Sequence, residues 1–263
     1  MLATFGFLSG GAANTARTQA FLTATGITDA TIISALNAMD TSLISAGLLP
    51  SGTGAGKIKA LYPIVGGTAA THKFNFVDPR DLDAAYRLSY FGGFTHNSNG
   101  ITPNGINAEA EPFLTSLDFP QDSVSMGYYS KTNIFLNQIE IGDANTFAMS
   151  IYFGNVNGDL LDINNTYTSS FQTPPPKTNV FFQASRINST TINGYFDSTN
   201  LGTLTIPSVA RTGLSIKLFS YSGSFYSTKN CAFAYFGEGL TALEMGNLNS
   251  LVTTFQTTLG RQN

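Results

Sequence analysis

Short runs of alternating apolar and polar residues occupy most of the chain after about residue 72. Examples are SVSMGYYS (123–130), FAMSIYFGN (147–155) and NVFFQASRI (179–187), whose period of two places successive side chains on opposite faces of a β-strand. Turn residues separate the runs at intervals of about 8–12 residues, a spacing typical of β-sandwiches. The pattern predicts a mainly β domain over residues 72–263.

Helical spacing of the apolar residues occurs instead near the N-terminus. Residues 17–25 are predicted to form a short helix that ends at Gly26. Residues 32–44 are predicted to form a second helix, with Thr28 as its N-cap. A further short helix is predicted at residues 57–62.

This change of pattern divides the chain into two parts. Residues 1–71 are expected to form an N-terminal arm and helical segment that serves attachment or oligomerisation, and residues 72–263 the β-sandwich. An amphipathic C-terminal helix is predicted over 242–259, because Thr241 and Glu244 match the T-x-x-E capping box and an apolar stripe follows.

The chain is poor in charge. Charged residues make up 11%, less than half of the roughly one quarter usual in soluble proteins. Asn, Ser and Thr take their place, which is common in permanently assembled subunits and also in secreted β proteins. The net charge is −3 and the 13 Lys and Arg residues are scattered, so nucleic-acid binding, which needs clustered cations, is not expected.

Neither a signal peptide nor a membrane span is predicted. The start, MLATFGFLSGG, lacks the positively charged region of a signal peptide, and no stretch of about 18 apolar residues occurs. The single cysteine, Cys231, lies in an apolar run, which favours an inert buried thiol over a nucleophile.

Three segments resemble the laminin-G-like and concanavalin-A-like jelly-roll family. They are SVSMGYYSKT (123–132), INGYFDSTNLG (192–202) and, most specifically, the closing element YFGEGLTALEM (235–245). The resemblance covers roughly residues 72–263. It implies a concanavalin-A-like jelly-roll sandwich.

A second resemblance covers more of the chain. ALYPIVGGTAATHKFNFVDPRDLDAAYRL (60–88) and CAFAYFGEGLTALE (231–244) are similar to a module in structural proteins of bacteriophages and prophages of Bacteroidetes hosts. The resemblance implies a virion component at the particle surface: a spike, fibre or capsid-decorating subunit facing a host receptor or glycan. Its partners would be copies of itself, by analogy trimers, and other virion proteins.

Two other classes of function stay open: a soluble carbohydrate-binding lectin and, less favoured, a glycoside hydrolase. Hydrolases of this fold that resemble endoglucanases carry Glu-x-Asp-x-(x)-Glu on one strand face, and that motif is missing. Glu109 and Glu111 lie in a turn-like segment before Pro112. Glu140 and Asp143 flank a Gly turn. Both pairs are expected in solvated loops, so the chain is predicted not to be an enzyme.

No metal or cofactor site is predicted. Asp78, Asp81 and Asp83 could hold a calcium ion, but helix capping is favoured because the Ca-loop pattern is missing. His72 and His96, the only histidines, lack metal-ligand spacing and are expected to be structural or surface residues.

Several aromatic residues could stack on sugars if they lie on exposed loops, although most are expected in the core. They are Tyr128, Tyr129, Tyr152, Phe153, Tyr195, Tyr221 and Tyr226. Tyr221 and Tyr226, which flank the SGSF turn, are the best candidates for ligand contact. The ligand-binding residues are otherwise left unassigned.

Overall fold

Two antiparallel β-sheets packed face to face form the body of the protein, and helices cover one of them. The computed structural model describes residues 13–132, 138–143, 149–153, 159–165, 170–171, 178–221 and 223–262. The mainly β jelly-roll sandwich, with N-terminal helices and a C-terminal helix, confirms the predicted fold class. Residues 1–12 of the predicted arm lie outside the described residues.

The first sheet has eight strands. They are β1 (Ile58–Tyr62), β3 (Phe94–Asn97), β4 (Gly100–Pro103), β6 (Val124–Ser130), β11 (Val180–Arg186), β12 (Thr191–Phe196), β13 (Thr199–Thr205) and β15 (Cys231–Gly237). Their order is β13-β12-β11-β6-β15-β4-β3, and β1 pairs with β15 beside this path.

The second sheet has seven strands. They are β2 (Ser89–Phe91), β5 (Glu109–Glu111), β7 (Gln138–Asp143), β8 (Met149–Phe153), β9 (Asp159–Ile163), β10 (Ser170–Phe171) and β14 (Ile216–Leu218). Their order is β10-β9-β8-β7-β14-β5-β2. One face of this sheet packs on the core, and the other face, called here the outer face, has no helix against it among the described residues.

Strand alternation divides the buried side chains between two apolar clusters. Along β15, Ala234 and Phe236 point between the sheets, whereas Phe233 and Tyr235 point toward the helices. The eight-stranded sheet is therefore buried on both faces, which is why its central strand reads as an almost continuous apolar run.

Four helices complete the fold: α1 (Ala16–Thr25), α2 (Ala30–Ser45), α3 (Ala69–His72) and α4 (Ala242–Thr258). The end of α1 at Gly26 is confirmed; Gly26 has φ 69°, in the left-handed region that favours glycine. The capping box of α4 is also confirmed, with Thr241 and Glu244 each bonded to the backbone N–H of the other.

Two details of the predicted N-terminal helices are wrong. The N-cap of α2 is Asp29 rather than Thr28, because its carboxylate accepts hydrogen bonds from the N–H groups of Thr31 and Ile32 at 2.9 Å. The segment IKALY, predicted as helix, is strand β1, whose register with β15 places Leu61 opposite Tyr235.

The N-terminal helices pack on the sandwich. Residues of α1, α2 and α4 share one apolar cluster with the outward-facing residues of β15 and β6. A buried ion pair between Arg17 and Asp40 joins α1 to α2. In the part of the chain that the structure describes, no helix is long and apolar enough to cross a membrane.

Candidate functional site

A cluster of charged side chains lies on the outer face of the seven-stranded sheet. In β5 and β14, Ala110, Ile216 and Leu218 point into the core, and Leu218 is paired with Ala110. Alternation then brings Glu109 and Glu111 to the outer face. It brings Lys217 to the same face of the neighbouring strand.

Lys217 joins the two carboxylates. Its Nζ lies 2.7 Å from Oε2 of Glu111 and 3.3 Å from Oε1 of Glu109. The side chains of Lys217, Glu109 and Glu111 are 15%, 20% and 19% exposed, so the cluster is partly desolvated and still open to a ligand. Burial opposes the charge on Lys217, but the hydrogen bonds and charges of Glu111 and Glu109 outweigh it and raise the pKa of Lys217.

The chain segment after β14 forms a wall beside this cluster. Ser220 Oγ donates a hydrogen bond to Oε2 of Glu109 at 3.1 Å. The segment crosses closely over β7: a Cβ on Gly142 would lie 2.9 Å from the carbonyl oxygen of Ser220. Phe219 and Phe225, within it, have φ of 73° and 51°. Backbone strain of this kind often accompanies functional sites.

An exposed aromatic ring completes the arrangement. Phe91, on edge strand β2, is directly opposite Glu109 and is 49% exposed. Its ring centroid lies 5.9 Å from Nζ of Lys217. We call Phe91, Glu109, Glu111 and Lys217 the outer-face site; Ser220, which is fully buried, holds Glu109 from beneath it.

The outer-face site has the chemistry to bind a ligand rich in hydroxyl groups. Carboxylates accept hydrogen bonds, the ammonium group donates them, and the exposed ring offers an apolar surface. Tyr221, one of the two tyrosines proposed from the sequence, is partly exposed and packs with Ile139 and Tyr152 on the same face. Tyr226 bridges to Ile139 nearby.

Both predicted loop positions of the carboxylate pairs are wrong. Glu109 and Glu111 belong to strand β5, where a separation of two residues places them on one face. Glu140 and Asp143 belong to strand β7 and are fully buried. Glu140 forms an ion pair with Lys229 at 2.8 Å.

The other tyrosines proposed as sugar contacts are buried. Tyr128 and Tyr129 are at most 1% exposed, Tyr152 is 5% and Tyr195 is 8% exposed. The expectation of core packing is correct for these four. The side chain of Phe153 lies outside the described residues.

The three clustered aspartates are held by basic side chains. Asp78 pairs with Arg80, whose hydrogen bond lowers the pKa of that carboxyl group. Asp81 pairs with Lys73 and Arg87, and Asp83 also pairs with Arg87. Within the described ranges, no group of three or more His, Cys, Asp or Glu side chains could hold a metal ion.

The two histidines, distant in sequence, lie in contact. Their Nδ1 atoms are 3.0 Å apart, and Nε2 of His72 accepts a hydrogen bond from the N–H of Gly67. His72 must therefore carry its proton on Nδ1 and donate it to His96. Burial and, secondarily, the charges of His96 and Arg261 lower the pKa of His72 to about 3.

Cys231 is fully buried, as its apolar surroundings in the sequence predict. Burial raises the pKa of its thiol to about 12. The thiolate form that a nucleophile needs is therefore disfavoured.

Sequence reasoning missed Phe91, Lys217 and Ser220. The sequence offers only a local signal for these residues. In EAE (109–111) two carboxylates flank an apolar residue, and in SIK (215–217) the lysine follows one. Only the pairing of β5 with β14 brings these charges together.

Comparison with known proteins identifies the fold but no family. No family model matches the chain. No curated protein matches it either.

Solved structures of Trypanosoma rangeli sialidase share the fold. The sialidase in complex with 2,3-difluoro-KDN has a TM-score of 0.54 and 8% identity, over 86% of this chain and 39% of the sialidase. A mutant with trans-sialidase activity has a TM-score of 0.54 and 9% identity, over 84% of this chain and 38% of that one. The chain thus spans about two fifths of the sialidases' length.

The prediction that this chain is not an enzyme, which was based on the missing carboxylate motif, is contradicted: the fold is shared with sialidases, which are enzymes. At these identities the likeness shows the fold alone.

Proposed function

We propose that this chain is a glycan-binding module whose ligand contacts the outer-face site. The observation that carries the proposal is the outward-facing cluster in which Lys217 lies between Glu109 and Glu111, beside the exposed ring of Phe91.

The physical basis is the match between this site and a sugar ring. Sugar hydroxyl groups donate hydrogen bonds to carboxylates and accept them from an ammonium group. The C–H face of the ring packs on an aromatic side chain. Since Lys217 already holds both carboxylates in place, less side-chain freedom is lost when a ligand binds.

We further propose that the module acts as part of a virion, as its resemblance to phage structural proteins implies. The low charge of the chain supports this context, since weakly charged surfaces suit side-by-side packing of subunits. Many copies would convert weak single-site binding into strong attachment. Density-gradient purification of particles, followed by mass spectrometry, tests this part: the chain should co-sediment with a capsid protein at fixed stoichiometry. Recovery only in the soluble fraction would favour the free lectin.

The binding proposal is tested with a glycan array, followed by calorimetric titration of the best ligand. Glu111→Gln and Phe91→Ala should each weaken binding at least tenfold, about 1.4 kcal/mol. Glu238→Gln is the matched control, because it removes an exposed carboxylate at the end of β15, away from the site. Unchanged affinity in both site variants would refute the proposal.

The same samples decide between binding and hydrolysis. Glycans recovered after incubation are analysed by mass spectrometry. Intact glycan supports a binding module. Cleavage that disappears in Glu111→Gln would replace the binding proposal with a hydrolytic one at the same residues.

A further inference from the structure

A cavity of about 540 Å³ opens beside the helices that cover the eight-stranded sheet. It lies between the α1–α2 loop, the Gly66–Gly67 turn and the chain that follows α4. Thr28, Thr71 and Ser98 contribute hydroxyl groups to its lining, and Arg261 contributes a positive charge.

Arg261 is a buried cation held by uncharged groups. It is 3% exposed, and its Nη2 donates a hydrogen bond to the carbonyl oxygen of Ile64 at 2.8 Å. Nη1 lies 3.5 Å from the carbonyl oxygen of Ala232. Among the described residues, no carboxylate lies within ion-pair distance of the guanidinium group. A buried charge without a counter-charge is costly, and an anion would relieve that cost.

The charge of Arg261 acts on two nearby basic groups. The pKa of Lys131 is lowered by burial and by the charge of Arg261. The pKa of His72 is lowered by burial, His96 and Arg261. In both groups burial is the larger cause, and His72, with a pKa of about 3, is neutral and adds no positive charge to the cavity.

One carboxylate, that of Asp29, also lines the cavity. Its Oδ1 accepts the hydrogen bonds of Thr31 and Ile32 at the start of α2. Its charge is therefore directed at the helix N-terminus, where negative charge is favourable, and not at Arg261.

We propose that this cavity binds a small oxyanion, the carboxylate or phosphate group of a ligand, through the guanidinium group of Arg261. The planar guanidinium fork matches both groups. Thr28 and Ser98 supply hydroxyl groups around the same space, whereas the hydroxyl group of Thr71 already donates to the carbonyl oxygen of Thr68 at 3.0 Å. The proposal is independent of the glycan site, which lies on the other sheet.

Thermal unfolding in sodium acetate, sodium phosphate and sodium chloride at equal ionic strength tests the proposed anion site. Saturating anion should raise the Tm of the wild type by about 3 °C over chloride. Acetate and phosphate distinguish a carboxylate site from a phosphate site. Arg80→Met, which removes an exposed arginine, is the control and should keep the rise. Arg261→Met should lose the rise in Tm that comes from the site. It should keep only the general stabilisation that phosphate gives to every variant.

Amide chemical-shift titration of the wild type gives a second measurement that does not require Arg261→Met to fold. Saturable shifts at Gly66, Gly67 and Thr71 support the proposal. Shifts that are absent there, or that grow linearly with anion over the whole surface, overturn it. An anion-dependent rise in Tm that is equal in Arg261→Met and wild type also overturns it.

Discussion

Replacing Lys229 by Met should destabilise the protein by about 3–5 kcal/mol, because the carboxylate of Glu140 would stay buried without the ammonium ion. The two groups are 2.8 Å apart, and their side chains are 2% and 0% exposed. Ser227 Oγ donates to the same carboxylate oxygen at 3.2 Å. A hydrogen bond of this kind contributes only about 0.5–1.5 kcal/mol and cannot replace a full charge.

The double variant Glu140→Met with Lys229→Met separates the ion pair from the packing around it. Both buried charges are then removed together, and apolar side chains of similar length fill the space. This variant should lie within about 1–2 kcal/mol of the wild type. Lys73→Met is the matched control, since Lys73 pairs with Asp81 at the surface, where such pairs contribute at most about 1 kcal/mol.

Urea unfolding followed by circular dichroism gives the free energies of unfolding of four proteins: the wild type, Glu140→Met, Lys229→Met and the double variant. The coupling energy between Glu140 and Lys229 should exceed about 2 kcal/mol. A cost below about 1 kcal/mol for Lys229→Met would refute the reasoning. So would a double variant as unstable as the sum of the two single variants.

Three further predictions concern glycine packing, helix capping and pH. Gly127→Ala should destabilise by about 1–3 kcal/mol in urea, since its Cβ would lie 2.4 Å from Cε1 of Tyr235. Gly246→Ala, whose Cβ would meet nothing within 4 Å, should instead stabilise α4 by about 0.5–1 kcal/mol. Thr241→Ala removes the N-cap of α4 and should lower the free energy of unfolding by about 1 kcal/mol. Because the pKa of His72 is lowered from 6.5 to about 3, the unfolded chain binds its proton first, and stability falls as the pH drops below 6.5. The loss at pH 5 should be roughly 2 kcal/mol, and His72→Gln should reduce the difference between denaturant midpoints at pH 7 and pH 5. If the wild type and His72→Gln showed the same difference between the two midpoints, the pH prediction would be contradicted.

Local patterns predicted those elements whose geometry depends on near neighbours. The capping box of α4 and the left-handed Gly26 after α1 involve contacts within a few residues, so the sequence displays them directly. Strand β15 is an almost continuous apolar run rich in aromatic residues, a local pattern that suits a central strand buried on both faces.

Whether a short apolar segment forms a helix or a strand depends on the strands with which it pairs. IKALY has no turn residue or cap that distinguishes a helix from a strand, and its hydrogen bonds with β15 make it strand β1. Glu109 and Glu111 could be read as turn residues for the same reason, since only pairing with β2 and β14 extends them into a strand.

The sequence by itself determined the mainly β class, the helices at both ends and the burial of Cys231, since each follows from periodicity or local chemistry. The tertiary structure alone decided the outer-face site and the cavity beside Arg261. Lys217 is 106 and 108 residues from the carboxylates that it joins. Contacts over such distances are set by sheet register, and a shift of one residue would turn these charges into the core.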